Sequence, residues 1–221
     1  MTDAAASTIT THSIPLPGPL ARLTSRDPAM FWTSGQWMTE KKGGSDVGNG
    51  TESVAIHQGG DHYKLYGYKW FSSATDSDMS MALARVVDNT GEKKEGLSMF
   101  FLETRKSDGS LNNIEVVKLK KKLGTRQLPT AELLLDGVDA VLVSEPGRGI
   151  ASISSMLTIS RLHNITASIG LMRKITSLAR DYATRRAAFS QNLENHPLHV
   201  QTMARMEVEQ ENIQIMLSYE L

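Results

Sequence analysis

The hydrophobic pattern of this chain changes period once, at Glu145-Pro146-Gly147-Arg148-Gly149, and the change separates two kinds of structure. Before it, over residues 31–143, short apolar runs alternate with polar residues and are bounded by turn formers, the pattern of half-buried strands. Residues 52–56 alternate, Gly59-Gly60-Asp61 turns the chain, and 63–66 follow. Residues 79–87 and 97–102 read as strands joined through Thr90-Gly91-Glu92. Residues 114–119, 131–135 and 138–143 supply the rest. Six or seven strands with no helical periodicity between them predict an antiparallel barrel or sandwich.

After the change, Ile150, Ile153, Leu157, Leu171, Ile175, Leu178 and Tyr182 recur at spacings built from three and four, which predicts one long helix over 146–188. Ser160, Arg161 and Asn164 interrupt its stripe. A second helix is expected over 197–221, starting at Pro197 because proline suits a first helical turn, and packing antiparallel to the first. Val200, Met203, Met206, Ile213 and Leu217 form its apolar face. Two helices are half of a usual four-helix bundle. Residues 1–30 are equally orphaned: an Ala-rich stretch reads as the end of a helix, and Pro15, Pro17, Pro19 and Pro28 then punctuate the chain. The expected fold is α+β in three parts: a helical remnant at 1–30, a β-domain at 31–144 and an incomplete helical bundle at 145–221. The chain reads as a piece of a larger protein, cut at both ends.

Composition removes several function classes. Lys plus Arg is 24 and Asp plus Glu is 24, so no global basic field draws nucleic acid. There is no cysteine, which excludes thiolate zinc sites, disulfide scaffolds and cysteine nucleophiles. No two of the six histidines share a helical metal-ligand spacing within one expected helix, since His196 and His199 flank a helix start, so no metal site is expected. No apolar run approaches the roughly 18 residues of a membrane span. The N-terminus is neither a secretory signal nor an Arg-rich transit peptide.

Two stretches stand out for chemistry. Met38-Thr39-Glu40-Lys41-Lys42-Gly43-Gly44-Ser45-Asp46 runs from a strand into a glycine loop whose amides and hydroxyl suit phosphate or ring oxygens, although a plain polar turn fits as well. Gly67-Tyr68-Lys69-Trp70-Phe71-Ser72-Ser73 sets aromatics beside hydroxyls, which fits either a planar ring or core packing. Lys118, Lys120, Lys121 and Lys122 make a basic cluster, read as a solvated loop face or as a phosphate or DNA contact.

Taken together, the two stretches resemble the acyl-CoA dehydrogenase family at the segments that grip FAD. Further matches follow in order: Lys122-Leu123-Gly124-Thr125-Arg126, Ala131-Glu132-Leu133 to Asp136-Gly137-Val138, Glu145-Pro146-Gly147-Arg148-Gly149, and Tyr182-Ala183-Thr184-Arg185-Arg186-Ala187-Ala188-Phe189. The paired Trp70-Phe71, Gly43-Gly44 and the lysine cluster look most like the AidB-like branch and its larger eukaryotic relatives. The family usually has small residues where Trp37 and Asn49 stand, and these departures leave the substrate open.

The resemblance implies an FAD-dependent acyl-CoA dehydrogenase. Its alternative is an AidB-like flavoprotein that binds or protects nucleic acid. It places Met38 and Thr39 at the pyrimidine edge of the flavin, Ser45 at the pyrophosphate, Phe71 on the isoalloxazine face and Ser73 toward flavin N5, with Gly44 and Ser72 also among the FAD-binding positions. Arg186 and Phe189 match positions that reach the FAD of a neighbouring subunit, in a dimer or tetramer. Ser45 and Arg161 match positions near the acyl-CoA. For Arg161, a solvent-facing or inter-helix salt bridge is the alternative. The family's carboxylate base has no counterpart here: one known location is Ser160, and the other lies on later helices. No catalytic residue is therefore assigned, and the isolated chain is expected not to turn over substrate. An intracellular setting is expected, with mitochondrial, peroxisomal and cytoplasmic locations all open, and the electron acceptor is unspecified.

Overall fold

The computed structural model describes residues 1–88 and 90–220, with Tyr219 and Glu220 as backbone only. They fall into two units, residues 1–159 and the residues from 160 onward.

β4 (Met79–Val87) organises the first unit, because it is apolar on both faces. Alternate residues of a strand point to opposite sides. Ala82, Ala84 and Val86 enter one core with Trp37, Ala55, Leu65, Phe100 and Leu133. Met79, Met81 and Leu83 enter a second core with Ala4, Ala5, Ile9, Met99, Ile153 and Met156. The first core is the interior of a barrel. The second lies under α1 (Thr2–Thr11) and the opening turns of α4 (Gly149–Arg185). The Ala-rich stretch therefore buries its small side chains against the outside of β4. A hydroxyl pair, Thr8 Oγ1 to Ser155 Oγ at 2.8 Å, joins the two helices. α2 (Pro17–Leu23) begins on a proline, as its missing N–H permits.

The barrel closes on itself. β2 (Val54–Gly59) pairs with β3 (His62–Ser73), β3 with β7 (Thr130–Leu142), β7 with β5 (Ser98–Glu103), β5 with β4, and β4 again with β2 and with β1 (Ser34–Trp37). β6 (Ile114–Leu119) lies along the first half of β7. The expected α+β class and barrel are present, with corrections of detail. β1 and β2 run parallel to β4, so the sheet is mixed rather than wholly antiparallel. The reason is topological: β2 and β3 form a hairpin, the next turn reverses the chain again, and β4 emerges in the direction of β2. The two stretches 131–135 and 138–143 are one strand, β7, with an irregularity opposite Leu65 and Tyr66. A single helical turn, α3 (Val47–Gly50), lies between β1 and β2 where no helical signal was read. One turn is too short to show a period, and it stands on its cap, Asn49 N donating to Asp46 Oδ1 at 3.2 Å.

Long helix α4 starts at Gly149, three residues later than expected. Gly149 N donates to Leu97 O at 2.6 Å, and a side chain there would meet Met99 N at 2.5 Å. The glycine lets the helix start lie directly on the strand.

In the second unit α4 ends at Arg185 rather than 188. Ala187–Ala188 and Gln191–Asn192 form a small hairpin, β8 and β9, before α5 (Pro197–Glu220). α5 begins on Pro197 as expected, and its expected last residue, Leu221, lies outside the described residues. Arg180 pairs with Glu207, and Arg173 shares a groove with Gln210 and Gln214, so the helices run antiparallel. The buried seam is Ile169, Thr176, Ala183 and Gln210, whereas Leu171, Ile175, Leu178 and Tyr182 are each more than half exposed. The larger apolar stripe is not the contact line. Ile169, Thr176 and Ala183, at a seven-residue spacing on α4, take that place.

Candidate functional site

The segment 38–53 leaves the barrel after β1 and returns at β2, both strands lying on the same edge of β4. Met79 N donates to Thr33 O at 3.3 Å and Arg85 N to Ser53 O at 2.9 Å. Residues 79 and 85 have the same parity, so both face that edge. β1 covers Met79–Ala82 and β2 covers Arg85–Val87, which leaves the carbonyl of Leu83 without a strand partner there.

Lys69 fills that gap. Its Nζ donates to Leu83 O at 2.7 Å and to Glu40 Oε1 at 2.6 Å, and both side chains of the ion pair are almost wholly buried. The Glu40 carboxylate also accepts from Glu52 N at 2.7 Å and Ser53 N at 3.2 Å. Burial pushes its carboxyl up, but the charge of Lys69 and these hydrogen bonds outweigh it and hold Glu40 below the usual range. Burial pulls the Lys69 ammonium down, against the Glu40 charge. The loop is further tied by Lys42 to Glu52 at 2.7 Å, Thr51 Oγ1 to Val47 O at 2.8 Å, and Arg85 to Gly48 O. Gly43 and Gly50 meet backbone to backbone: a side chain on Gly50 would stand 2.6 Å from Gly43 N.

The two stretches singled out in the sequence lie side by side. Trp70 N donates to Thr39 O at 2.9 Å, and Trp37 Nε1 donates to Ser73 O at 3.2 Å. β3 carries a bulge between Lys69 and Ser72. Continued alternation from Leu65 and Lys69 would aim Phe71 inward; the extra residue turns Phe71 outward, 45% exposed, and Ser72 inward. Ser72 Oγ is buried with no hydrogen-bond partner. Ser73 Oγ sits 3.0 Å from Thr130 Oγ1. Met38 and Thr39 are half-buried, Ser45 is exposed, and Gly44 is exposed with open space where a side chain would be.

Beside Phe71 a second polar group is built. Lys120 Nζ lies 2.6 Å from Glu132 Oε1, and Tyr68 OH donates to Glu132 Oε2 at 2.5 Å. That hydrogen bond drives the Tyr68 phenol up to about 12, and hydrogen bonds from Lys120 and Tyr68 hold the Glu132 carboxyl low. Lys120 Nζ is 3.1 Å from the Trp70 ring centre and 4.5 Å from that of Phe71. Lys122 Nζ donates to Thr130 Oγ1 at 2.8 Å. Two members of the lysine cluster are thus engaged with the barrel rather than forming a free solvated face. Lys118 and Lys121 are exposed.

Arg161, Arg186 and Phe189 belong to the second unit and are exposed on it. Phe189 stands at the tip of the β8–β9 hairpin, 92% exposed. It and Ser190 have φ of 50° and 69°, the left-handed pair that a two-residue hairpin turn requires. Glu40, Lys69, Tyr68 and Glu132 carry no role in the sequence reading, and Lys120 appears there only as a member of the basic cluster. Lys69 had a readable signal: it shares the inward parity of Leu65 on a strand, where a charge needs a counter-charge.

The family model for the acyl-CoA dehydrogenase middle domain matches residues 35–138, and that for the acyl-CoA dehydrogenase C-terminal domain matches residues 147–219. The chain belongs to the acyl-CoA dehydrogenase family. Acyl-CoA dehydrogenase family member 11 of Caenorhabditis elegans is 52% identical over 98% of this chain, which spans 36% of that protein. The putative acyl-CoA dehydrogenase AidB of Escherichia coli is 35% identical over 80% of the chain and 31% of its own length. The crystal structure of Caenorhabditis elegans ACDH-11 in complex with C11-CoA superposes with a TM-score of 0.94, at 52% identity, over 98% of this chain and 38% of that one. This acyl-CoA dehydrogenase family chain therefore covers about a third of the length of these relatives.

Proposed function

We propose that the chain is the flavin-gripping part of an FAD-dependent oxidoreductase that removes hydrogen from Cα and Cβ of an acyl-CoA thioester. The observation that carries this reading is the pairing of the two stretches through Trp70 N and Thr39 O, which puts a glycine loop, an outward aromatic and a hydroxyl-bearing strand end at one edge of the barrel. The residues fit a dinucleotide: Gly44 leaves space for close approach, and Phe71 presents an outward ring beside the Ser73 hydroxyl, whereas the Ser72 side chain is turned into the barrel and leaves only its backbone to the ligand. FAD, when bound, supplies the acceptor for the substrate hydride. Thr39 and the Met38 backbone would hold its pyrimidine edge, Ser45 with the open Gly44 backbone its pyrophosphate, Phe71 its ring face, and Ser73 the N5 side, with Ser72 contributing backbone only. Arg186 and Phe189 would serve the FAD of a neighbouring subunit in a homo-oligomer, and Ser45 and Arg161 match positions near the acyl-CoA. The base that takes the α-proton is assigned outside these residues.

The worm relative, crystallised with C11-CoA, supports an acyl-CoA as substrate. A nucleic-acid reading draws on the likeness to AidB and on exposed Lys118, Lys121 and Arg126. It is the weaker reading, because Lys120 and Lys122 are turned to the barrel.

The test is flavin retention. The chain, or the longer protein containing it, should take up FAD and show bound-flavin absorbance, and Thr39→Ala with Ser73→Ala should weaken retention. Absence of bound flavin after reconstitution with FAD refutes the reading. Mixed anaerobically with FAD and short-, medium- and long-chain acyl-CoAs, the isolated chain should leave the flavin oxidised, since loss of a general base alone costs about 10²–10⁴-fold.

A further inference from the structure

We propose that the buried Glu40–Lys69 pair is the positioning device of the glycine loop: it sets where Gly43, Gly44 and Ser45 stand relative to Thr39, and thereby governs the affinity for the flavin dinucleotide. The inference rests on the flavin reading above and names residues to which that reading gives no role.

The Glu40 carboxylate sits where the loop departs and grips the backbone where it returns, at Glu52 N and Ser53 N, so one side chain closes the whole excursion. Its counter-ion stands one residue from Trp70, whose N–H holds Thr39. Lys69 also spans to Leu83 O in the gap between β1 and β2. One pair thus joins the loop's two ends, the β3 segment and β4. Within 41–50 the residues are mostly exposed, and apart from Val47, packed against the outer core, the loop has little apolar anchorage. The attraction of the two charges is largely offset by the cost of desolvating them, so a packed apolar pair would replace most of that part of the stability. What apolar side chains would not supply is an acceptor for the two loop amides. The geometry of the loop, rather than the stability of the barrel, is therefore the property most dependent on the pair.

The test compares wild type with Glu40→Leu/Lys69→Met, which removes both charges at similar volume, and with Glu40→Asp, which keeps the charge but shortens its reach. FAD affinity is read by flavin fluorescence, and backbone amide exchange is read on the flavin-free proteins. In the double variant the FAD dissociation constant should rise by about tenfold or more, as small losses of preorganisation do. Amides of 41–53 should exchange faster by about tenfold while those of β5 and β7 keep their protection. Glu40→Asp should move both readouts in the same direction by a smaller factor, and it carries the comparison if the double variant fails to fold. Wild-type affinity and wild-type loop exchange in the variants overturn the proposal. So does equal loss of protection in loop and barrel, which marks a general structural role. If wild type itself binds no FAD, the flavin reading fails and this inference fails with it. If wild type binds and the variants bind equally, only this inference fails.

Discussion

Lys69→Met should be among the most damaging single substitutions in the barrel, and its effect should depend on pH in the opposite sense to that of wild type. The Lys69 side chain is 1% exposed and that of Glu40 4%, so the substitution leaves a carboxylate in the interior with only two backbone donors. Breaking a buried pair in this way costs about 3–5 kcal/mol. Loss of the Leu83 carbonyl's partner adds about 1 kcal/mol, and the methionine stem recovers part of the packing. A net loss of about 3–5 kcal/mol is a large share of the roughly 5–15 kcal/mol typical of a domain. For a unit of this size it lowers Tm by about 6–20 °C.

In wild type the Glu40 carboxyl is held below its ordinary value of 4.5, so its contribution is present above that pH and is lost as pH falls through the folded value. In Lys69→Met, burial, the largest effect on Glu40, is opposed only by the hydrogen bonds from Glu52 and Ser53, and the carboxyl should shift upward, past its ordinary value if burial outweighs them. A raised carboxyl binds its proton more tightly when folded, so the variant should regain stability as pH falls from neutrality toward that ordinary value. Urea unfolding followed by circular dichroism at pH 7 and near pH 5 measures both effects. A loss under about 1 kcal/mol at neutral pH, or the same pH slope in both proteins, would refute the argument that a dry ion pair stands here.

Gly50→Ala should destabilise by about 1–3 kcal/mol and weaken FAD retention, because its new methyl group would meet Gly43 N at 2.6 Å and Lys42 O at 2.5 Å. Gly44→Ala has nothing within 4 Å to strike, so its denaturant midpoint should stay at the wild-type value; equal effects at the two glycines would contradict the loop contact described. Tyr68 should titrate late, at about 12, in an ultraviolet absorbance titration, and the late step should vanish in Tyr68→Phe. Because its folded value is raised, its stabilising contribution is present below its ordinary value of 10.0 and is lost as pH rises through the folded value. Tyrosines that all titrate together near 10 would show that the Glu132 contact does not form in solution.

Several features of the site were legible because their signals are local. The glycine pair, the hydroxyls and the aromatics of the two stretches stand in the sequence at readable spacing, and strands 79–87 and 114–119 coincide with β4 and β6. Which side chains face the surface was not legible for Phe71 and Ser72. The bulge beside them exists only because β3 and β7 run at unequal residue counts between Lys69 and Ser72. The buried seam of the helices was also missed. Hydrophobic size favours Leu171 and Ile175, whereas packing selected Thr176 and Ala183.

By itself, the sequence determined that the chain has a strand-built first part and a helix-built second part, since residue period and turn chemistry act over a few neighbours. It also determined where most elements lie and which motifs could meet a flavin. Tertiary structure alone decided that β1 and β2 share one edge of β4, that the barrel closes through β5, and that Lys69 is an interior cation spanning Glu40 and Leu83 O. Strand direction, register and partner choice are relations between segments far apart in the chain. An isolated lysine or glutamate carries no mark of the neighbour that will neutralise it. The pair becomes visible only when the loop has left the barrel and returned, because the carboxylate's acceptor sites are satisfied by backbone at the far end of that excursion.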